Sequence, residues 1–165
     1  MSVSDEAYKL LNEQVTNEMI AAHDYLAMAF SFEAMGLMKL SGRFLGQAEE
    51  ERAHAMKFAK YLQDVGREIT LGSIPKPKSR FSSVPEILDT ALKSETDVTD
   101  QVNRIADQAA RDNDHATQSF LKWFIDEQVE EVATVENMIR LVKLAGDMNL
   151  LLLEERIAAE IGNSA

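Results

Sequence analysis

The chain has 165 residues, contains no cysteine and carries a formal net charge of −11. The lack of cysteine excludes disulfide bonds and thiolate metal sites, and the acidic charge argues against a nucleic-acid partner because a phosphate backbone would repel it. No apolar run approaches the roughly 18 residues that a membrane-spanning helix needs, and the N-terminal residues lack the pattern of a secretory signal. We therefore expect one soluble, cytoplasmic domain that spans residues 1–165 and has no membrane partner.

Two long helices are predicted before the first proline of the chain. The first covers about residues 5–35, with Ser4 as its N-cap and Gly36 as its stop. The second covers about residues 39–65 and ends at Gly66. Both glycines suit the left-handed conformation that often follows the last turn of a helix.

A long connection is predicted over about residues 67–83, which are polar, contain two prolines and lack periodicity. At roughly 3.3 Å per residue this segment can extend over about 50 Å, whereas a helix of about 27 residues measures about 40 Å. The connection is therefore long enough to return along the whole bundle. We expect the second and third helices to lie parallel and beside each other.

The third and fourth long helices follow this connection. Ser83 and Glu86 form a capping box at the start of the third helix, which continues to about Arg111. The polar turn at residues 112–114 is short enough to make the fourth helix antiparallel to the third. The fourth helix is expected to end near Ala145.

A short fifth helix is predicted over about residues 148–161. Its cluster of leucines is too apolar to leave in water, so it should pack on the bundle or on another subunit. The predicted fold is all-α: a four-helix bundle over about residues 5–145, with a long crossover between helices 2 and 3 and a short C-terminal helix.

Each long helix carries a carboxylate near the middle of its apolar heptad positions, the residues that face the core. The polar residues at these positions are Glu18, Glu51, His54, Glu95, Gln128 and Glu131. Counting about 1.5 Å per residue from the connecting turns places them at one height to within about one helical turn. We expect all six side chains to meet in the middle of the bundle.

Such a group of buried carboxylates needs protons, basic partners or cations. The core-facing positions carry no Lys or Arg near this level, which argues against simple salt bridges. Oxygen-rich ligands with one nitrogen suit iron or manganese, and Glu51 is placed to bridge two ions. A helical bundle whose carboxylates bind no metal is a purely structural alternative.

Several short motifs occur in a fixed order along the chain. They are Leu11-Asn12-Glu13-Gln14 before Glu18, Glu50-Glu51 with His54, then Glu95, Phe120-Leu121 with Trp123, and Glu127-Gln128 with Glu130-Glu131. In this order and at these separations, the chain resembles the bacterial non-haem ferritins over nearly its whole length. The resemblance implies a ferritin-like bundle and a homo-oligomeric shell of 24 subunits. Such a shell oxidises Fe(II) with oxygen or peroxide and stores the ferric mineral inside.

The resemblance also implies roles for individual residues at a di-iron centre with a third, weaker iron site. One iron would be held by Glu18, Glu51 and His54, the second by Glu51, Glu95 and Glu131 with Gln128 beside it, and the third by Glu50, Glu127, Glu130 and Glu131. Tyr25 matches a family tyrosine near the centre. It would donate a hydrogen bond to a ligand or supply an electron, or else serve only as a core aromatic residue.

Other features separate the possible classes. Haem is not expected, because Arg52 stands where bacterioferritins place their haem-ligating methionine. Trp123 is expected to contribute to packing, and His23 and His115 to be solvated. The alternative function is a soluble di-iron or di-manganese oxidase or peroxidase without storage, which the apolar fifth helix disfavours.

Overall fold

The structure, a computed structural model, describes residues 3–146 and 150–161, and only the backbone of residues 158–161. This part of the chain contains five helices and no strand. They are α1 (Asp5–Ala34), α2 (Met38–Asp64), α3 (Val84–Arg111), α4 (His115–Ala145) and α5 (Leu150–Ile161). The all-α prediction is confirmed. The predicted start of the fifth helix at residue 148 lies outside the described residues.

Side-chain caps explain where three of the helices begin. The Ser4 hydroxyl accepts a hydrogen bond from the backbone of α1, and Ser83 and Asp114 do the same for α3 and α4. α2 has no such cap of its own, since Leu37 precedes it. Glu154 of α5 fills this role, because its carboxylate accepts from the backbone N–H groups of Lys39 and, at 2.9 Å, Leu40.

The connection between α2 and α3 follows the surface of α1. Tyr8 donates to the carbonyl of residue 68 at 3.0 Å, and Asn12 donates to that of Thr70 at 2.8 Å. One turn further along α1, Thr16 accepts from the backbone N–H of Gly72 at 2.9 Å. These contacts, spaced four residues apart, carry the connection from one end of the bundle towards the other.

This path corrects one prediction about the topology. Within the described chain, α1 packs against both α2 and α3, and α3 packs against α4, whereas α2 and α3 do not form an extended contact. α2 and α3 run in the same direction but lie diagonally across the bundle. The reason is that the connection crosses α1, so α3 is placed beside α1 and not beside α2.

Two apolar clusters occupy the two ends of the bundle. The first apolar cluster lies near the turn between α1 and α2 and includes Phe32, Phe44, Leu88, Met138 and Ile157. The second apolar cluster lies near the turn between α3 and α4 and includes Leu11, Phe58, Leu62, Ile105 and Leu121. The predicted polar residues lie between the clusters. None of the described helices is long and apolar enough to cross a membrane.

Candidate metal centre

A polar layer separates the two apolar clusters. It consists of Glu18, Glu51, His54, Glu95, Gln128 and Glu131, all of them at most 7% exposed. The structure therefore brings together the six side chains that the heptad positions predicted. Two sets of three residues in this layer could each hold a metal ion, because their donor atoms lie within 4.8 Å of one another: Glu18 with Glu51 and His54, and Glu51 with Glu95 and Glu131. Glu51 belongs to both sets.

The first set contains an unsatisfied carboxylate oxygen. His54 Nδ1 lies 3.2 Å from Glu51 Oε2, and Gln14 Nε2 donates to Glu18 Oε1 at 2.9 Å. The other oxygen of Glu18, Oε2, is buried and accepts no hydrogen bond from a described N–H donor, and the Glu18 carboxyl group faces that of Glu51. Since an unpaired buried oxygen is costly, this arrangement suits a cation as its missing partner.

The second set is held by neutral donors. Gln47 Nε2 donates to Glu51 Oε1 at 2.9 Å and to Glu131 Oε2 at 2.8 Å. Gln128 Nε2 lies 3.3 Å from Glu95 Oε2. The phenol of Tyr25 donates to Glu95 Oε1, so Tyr25 touches a residue of the layer while its ring packs with the first apolar cluster.

Burial and mutual repulsion raise the pKa of three carboxyl groups in the layer, those of Glu18, Glu95 and Glu131. Burial raises the pKa of Glu131 to about 8, and the charge of Glu95 adds to the shift. Burial also raises the pKa of Glu95 to about 7, with Glu51 as the next cause. The pKa of Glu18 lies well above its ordinary value, first because of burial and then because of Glu51. Cations that enter such a layer replace protons.

A third set of possible ligands extends towards the surface. Donor atoms of His54, Glu127 and Glu131 also lie within 4.8 Å of one another, and Glu127 is half-buried. Glu50 and Glu130, which the resemblance places at a third iron site, are exposed and belong to none of the sets within the described chain. Glu50 is nevertheless close to the layer, because its charge is among the lesser causes, after burial, that raise the pKa of Glu131.

The remaining candidate residues lie outside the layer. His23 and His115 are exposed, as predicted. Trp123 packs edge-on against His54, with 5.3 Å between ring centroids, yet it is 40% exposed and Lys57 lies over its face. Trp123 is therefore a partly exposed residue at the edge of the layer and only in part a packing residue.

The sequence patterns assigned no role to two residues that contact the layer. Gln14 and Gln47 each stand four positions before a core glutamate, Glu18 and Glu51 respectively. Residues four apart on a helix lie on the same face, so a glutamine at this spacing is a readable signal for a hydrogen-bonded carboxylate. The contact from Gln47 to Glu131 joins two helices, and no local pattern predicts it.

The geometry defines a class of protein: a four-helix bundle with two adjacent, oxygen-rich sets of side chains that could each hold a metal ion and that share one carboxylate. A Ferritin-like domain matches residues 8–145. The chain is 40% identical over 159 residues to the bacterial non-heme ferritin of Staphylococcus saprophyticus, an alignment that covers 95% of each chain. It is 36% identical over 154 residues to ferritin BfrB of Mycolicibacterium smegmatis, covering 93% of this chain and 84% of that one.

A solved structure is similar as well. The open-pore ferritin of the hyperthermophilic archaeon Archaeoglobus fulgidus superposes with a TM-score of 0.92 at 30% identity, over 96% of this chain and 98% of that one. The chain therefore belongs to the ferritin family. Ferritins are iron-storage proteins with ferroxidase activity, and this chain is an iron-oxidising enzyme of that kind.

Proposed function

We propose that the protein oxidises Fe(II) at the polar layer and stores the ferric product inside a homo-oligomeric shell of 24 subunits in the cytoplasm. In this proposal residues 1–165 form one ferritin domain. The observation that carries it is the pair of metal-binding sets that share Glu51, together with the unpartnered oxygen of Glu18. Two ions held side by side provide the two electrons that oxygen needs at once.

The iron ions are the substrate, and the chain supplies their ligands. Glu18, Glu51 and His54 would hold one Fe(II), and Glu51, Glu95 and Glu131 the other, with Gln128 beside the second. Each Fe(II) gives one electron to oxygen, and two protons complete hydrogen peroxide; with peroxide as oxidant, two electrons and two protons yield two waters. Carboxylate ligands stabilise Fe(III) more than Fe(II), which favours the oxidation.

The residues around the ions have separate tasks in this scheme. Carboxyl groups with a raised pKa release protons when Fe(II) binds, so the bound cations replace protons in the layer. Tyr25 orients Glu95 through its hydrogen bond and lies close enough to the layer to supply an electron. Glu127 and Glu131, with Glu50 and Glu130, would hold a third, weaker iron.

Support for an assembly comes from exposed apolar side chains. Leu150, Leu151 and Leu152 at the start of α5 are 47%, 57% and 62% exposed. Phe30 on α1 is 58% exposed, and Leu71 in the connection is 68% exposed. The three consecutive leucines form exposed apolar surface of a kind that is typical of contact with other subunits. The exposed residues thus favour a shell over a monomeric oxidase.

The test is to add tens of Fe(II) per chain to the apoprotein in air and to pass the product over a sizing column. Iron that elutes with protein as a particle of several hundred kDa would support storage in a shell. A small species with a few irons, while the excess iron precipitates, would instead support a di-iron or di-manganese oxidase without storage. Iron that precipitates at the protein-free rate would refute both.

A further inference from the structure

Gln47 is a buried polar residue that the proposed iron chemistry does not yet use. It lies on α2, is 4% exposed and stands one helical turn before Glu51. Its single side-chain nitrogen donates to Glu51 Oε1 at 2.9 Å and to Glu131 Oε2 at 2.8 Å. An amide nitrogen carries two hydrogen atoms, so both donors of Gln47 are engaged by carboxylates.

The two acceptors belong to different helices. Glu51 is on α2 and Glu131 is on α4, so the amide links the two helices inside the polar layer. Each hydrogen bond uses one oxygen of its carboxylate and leaves the other oxygen available. The second oxygen of Glu51, Oε2, is the one that faces His54. Gln47 therefore fixes the rotation of both carboxylates without blocking either of them.

The contrast with Gln14 shows why this contact is specific. Gln14 also stands four residues before a glutamate, but its amide nitrogen donates to Glu18 within the same helix. A contact within one helix fixes one side chain, whereas a contact between helices also fixes the distance between two ligands. Glu51 and Glu131 repel each other when ionised. A neutral donor that binds both carboxylates therefore holds them near each other.

We propose that Gln47 is a positioning residue that sets the separation of Glu51 and Glu131 for the second iron, the one assigned to Glu51, Glu95 and Glu131. This inference rests on the proposed function. Loss of a hydrogen-bond partner of a metal ligand typically costs about 10- to 100-fold in metal affinity. Removal of the Gln47 amide should lower the affinity for the second ion by this factor. The first ion should change less, since it uses only one of the two carboxylates that Gln47 contacts, whereas the second ion uses both.

Calorimetric titration of the assembled apoprotein with Zn(II), a redox-inert probe, tests the inference. The variants are Gln47→Leu, which removes both donors at similar size, and Gln47→Asn, which keeps the amide but shortens its reach. The matched control is Gln101→Leu on α3, a partly buried glutamine whose Oε1 has no partner among the described residues. The proposed site itself predicts that each parent chain binds two Zn(II) ions.

The split between the two affinities decides the outcome. A second Zn(II) bound about 10- to 100-fold more weakly in either folded Gln47 variant, with the first ion little changed, supports the positioning role. Two ions at parental affinity, or an equal loss of both, overturns it. If the parent chain binds no pair of ions, the proposed centre is wrong and the inference falls with it. The Gln101→Leu control should titrate like the parent.

Discussion

The second apolar cluster and the polar layer occupy neighbouring turns of the same helices, but they contribute to stability in opposite ways. In the cluster, Phe58 stacks on Phe124 with 4.2 Å between ring centroids, and Phe58 is fully buried. In the layer, Glu95 and Glu131 are also buried, and this burial raises the pKa of both. The cluster stabilises the empty protein, whereas the layer lowers its stability until a cation arrives. A fold keeps such a costly layer where its chemistry requires it.

The largest expected effect is the loss of iron oxidation on removal of a proposed ligand. Glu18→Ala deletes the carboxylate with the unpartnered oxygen and should slow the fast phase of Fe(II) oxidation by at least about 100-fold, since even partners of ligands contribute 10- to 100-fold. His54→Ala should act in the same way. Stopped-flow absorbance measures the rate, and a sizing column checks the assembly. Glu33→Ala, which removes an exposed glutamate of the same helix, is the control. An unchanged rate in Glu18→Ala would refute the ligand assignment.

A cavity in the second apolar cluster should damage the fold and leave the chemistry intact. Phe58→Ala removes a fully buried ring and should lower the free energy of unfolding by about 3–5 kcal/mol. Met56→Ala, two residues earlier and 57% exposed, is the matched control with little expected change. Denaturant unfolding of the apoprotein measures both. Equal losses in the two variants would contradict the assignment of this cluster as core.

In the metal-free protein, ionisation of the polar layer should lower the free energy of unfolding. The pKa of Glu131 rises from its ordinary value of 4.5 to about 8 on folding, mainly through burial. The folded state then binds more protons than the unfolded state between these values, so apoprotein stability falls as the pH rises from about 4.5 to about 8. Below pH 4.5 the full stabilisation is present.

Glu131→Gln tests this pH dependence. The stability of the variant should depend less steeply on pH than that of the parent. Above about pH 8 the variant should be the more stable of the two, by a few kcal/mol at most. Denaturant unfolding of chelator-treated protein across this pH range measures it. Addition of Zn(II) should stabilise the parent more than the variant, because a bound cation replaces the proton. A parent that gains stability as the pH rises over this interval would contradict the account.

The smallest effects concern the attachment of α5. Glu154 is 6% exposed and caps the start of α2, so Glu154→Ala should cost about 1–2 kcal/mol of unfolding free energy. Its neighbour Glu155 forms an exposed salt bridge with Lys39, and Glu155→Ala should cost less than about 1 kcal/mol. Thermal melting compares the two. A larger loss for Glu155→Ala would show that the ion pair, and not the cap, attaches α5.

Local sequence signals account for most of the helices and for the composition of the layer. Ser4 and Ser83 predicted two helix starts, and Gly36 and Gly66, both with positive φ, marked two helix ends. Counting residues from the turns predicted which carboxylates share a level. These signals depend only on neighbours along the chain, which is why they can be read from it.

Contacts between distant segments could not be read in this way. The position of α3 beside α1 depends on the hydrogen bonds that guide the connection over Asn12 and Thr16. The double contact of Gln47 depends on how α4 is rotated towards α2. The third set of ligands uses His54 with Glu127 because side chains of two helices converge there. In each case the deciding partner is remote in sequence.

The most direct test of the central claim is anomalous diffraction at the iron edge from crystals soaked with Fe(II) without oxygen. We expect two iron peaks in each chain within the polar layer, one beside Glu18 and His54 and one beside Glu95 and Glu131, with Glu51 between them. An empty layer, with iron peaks only at surface carboxylates, would contradict it.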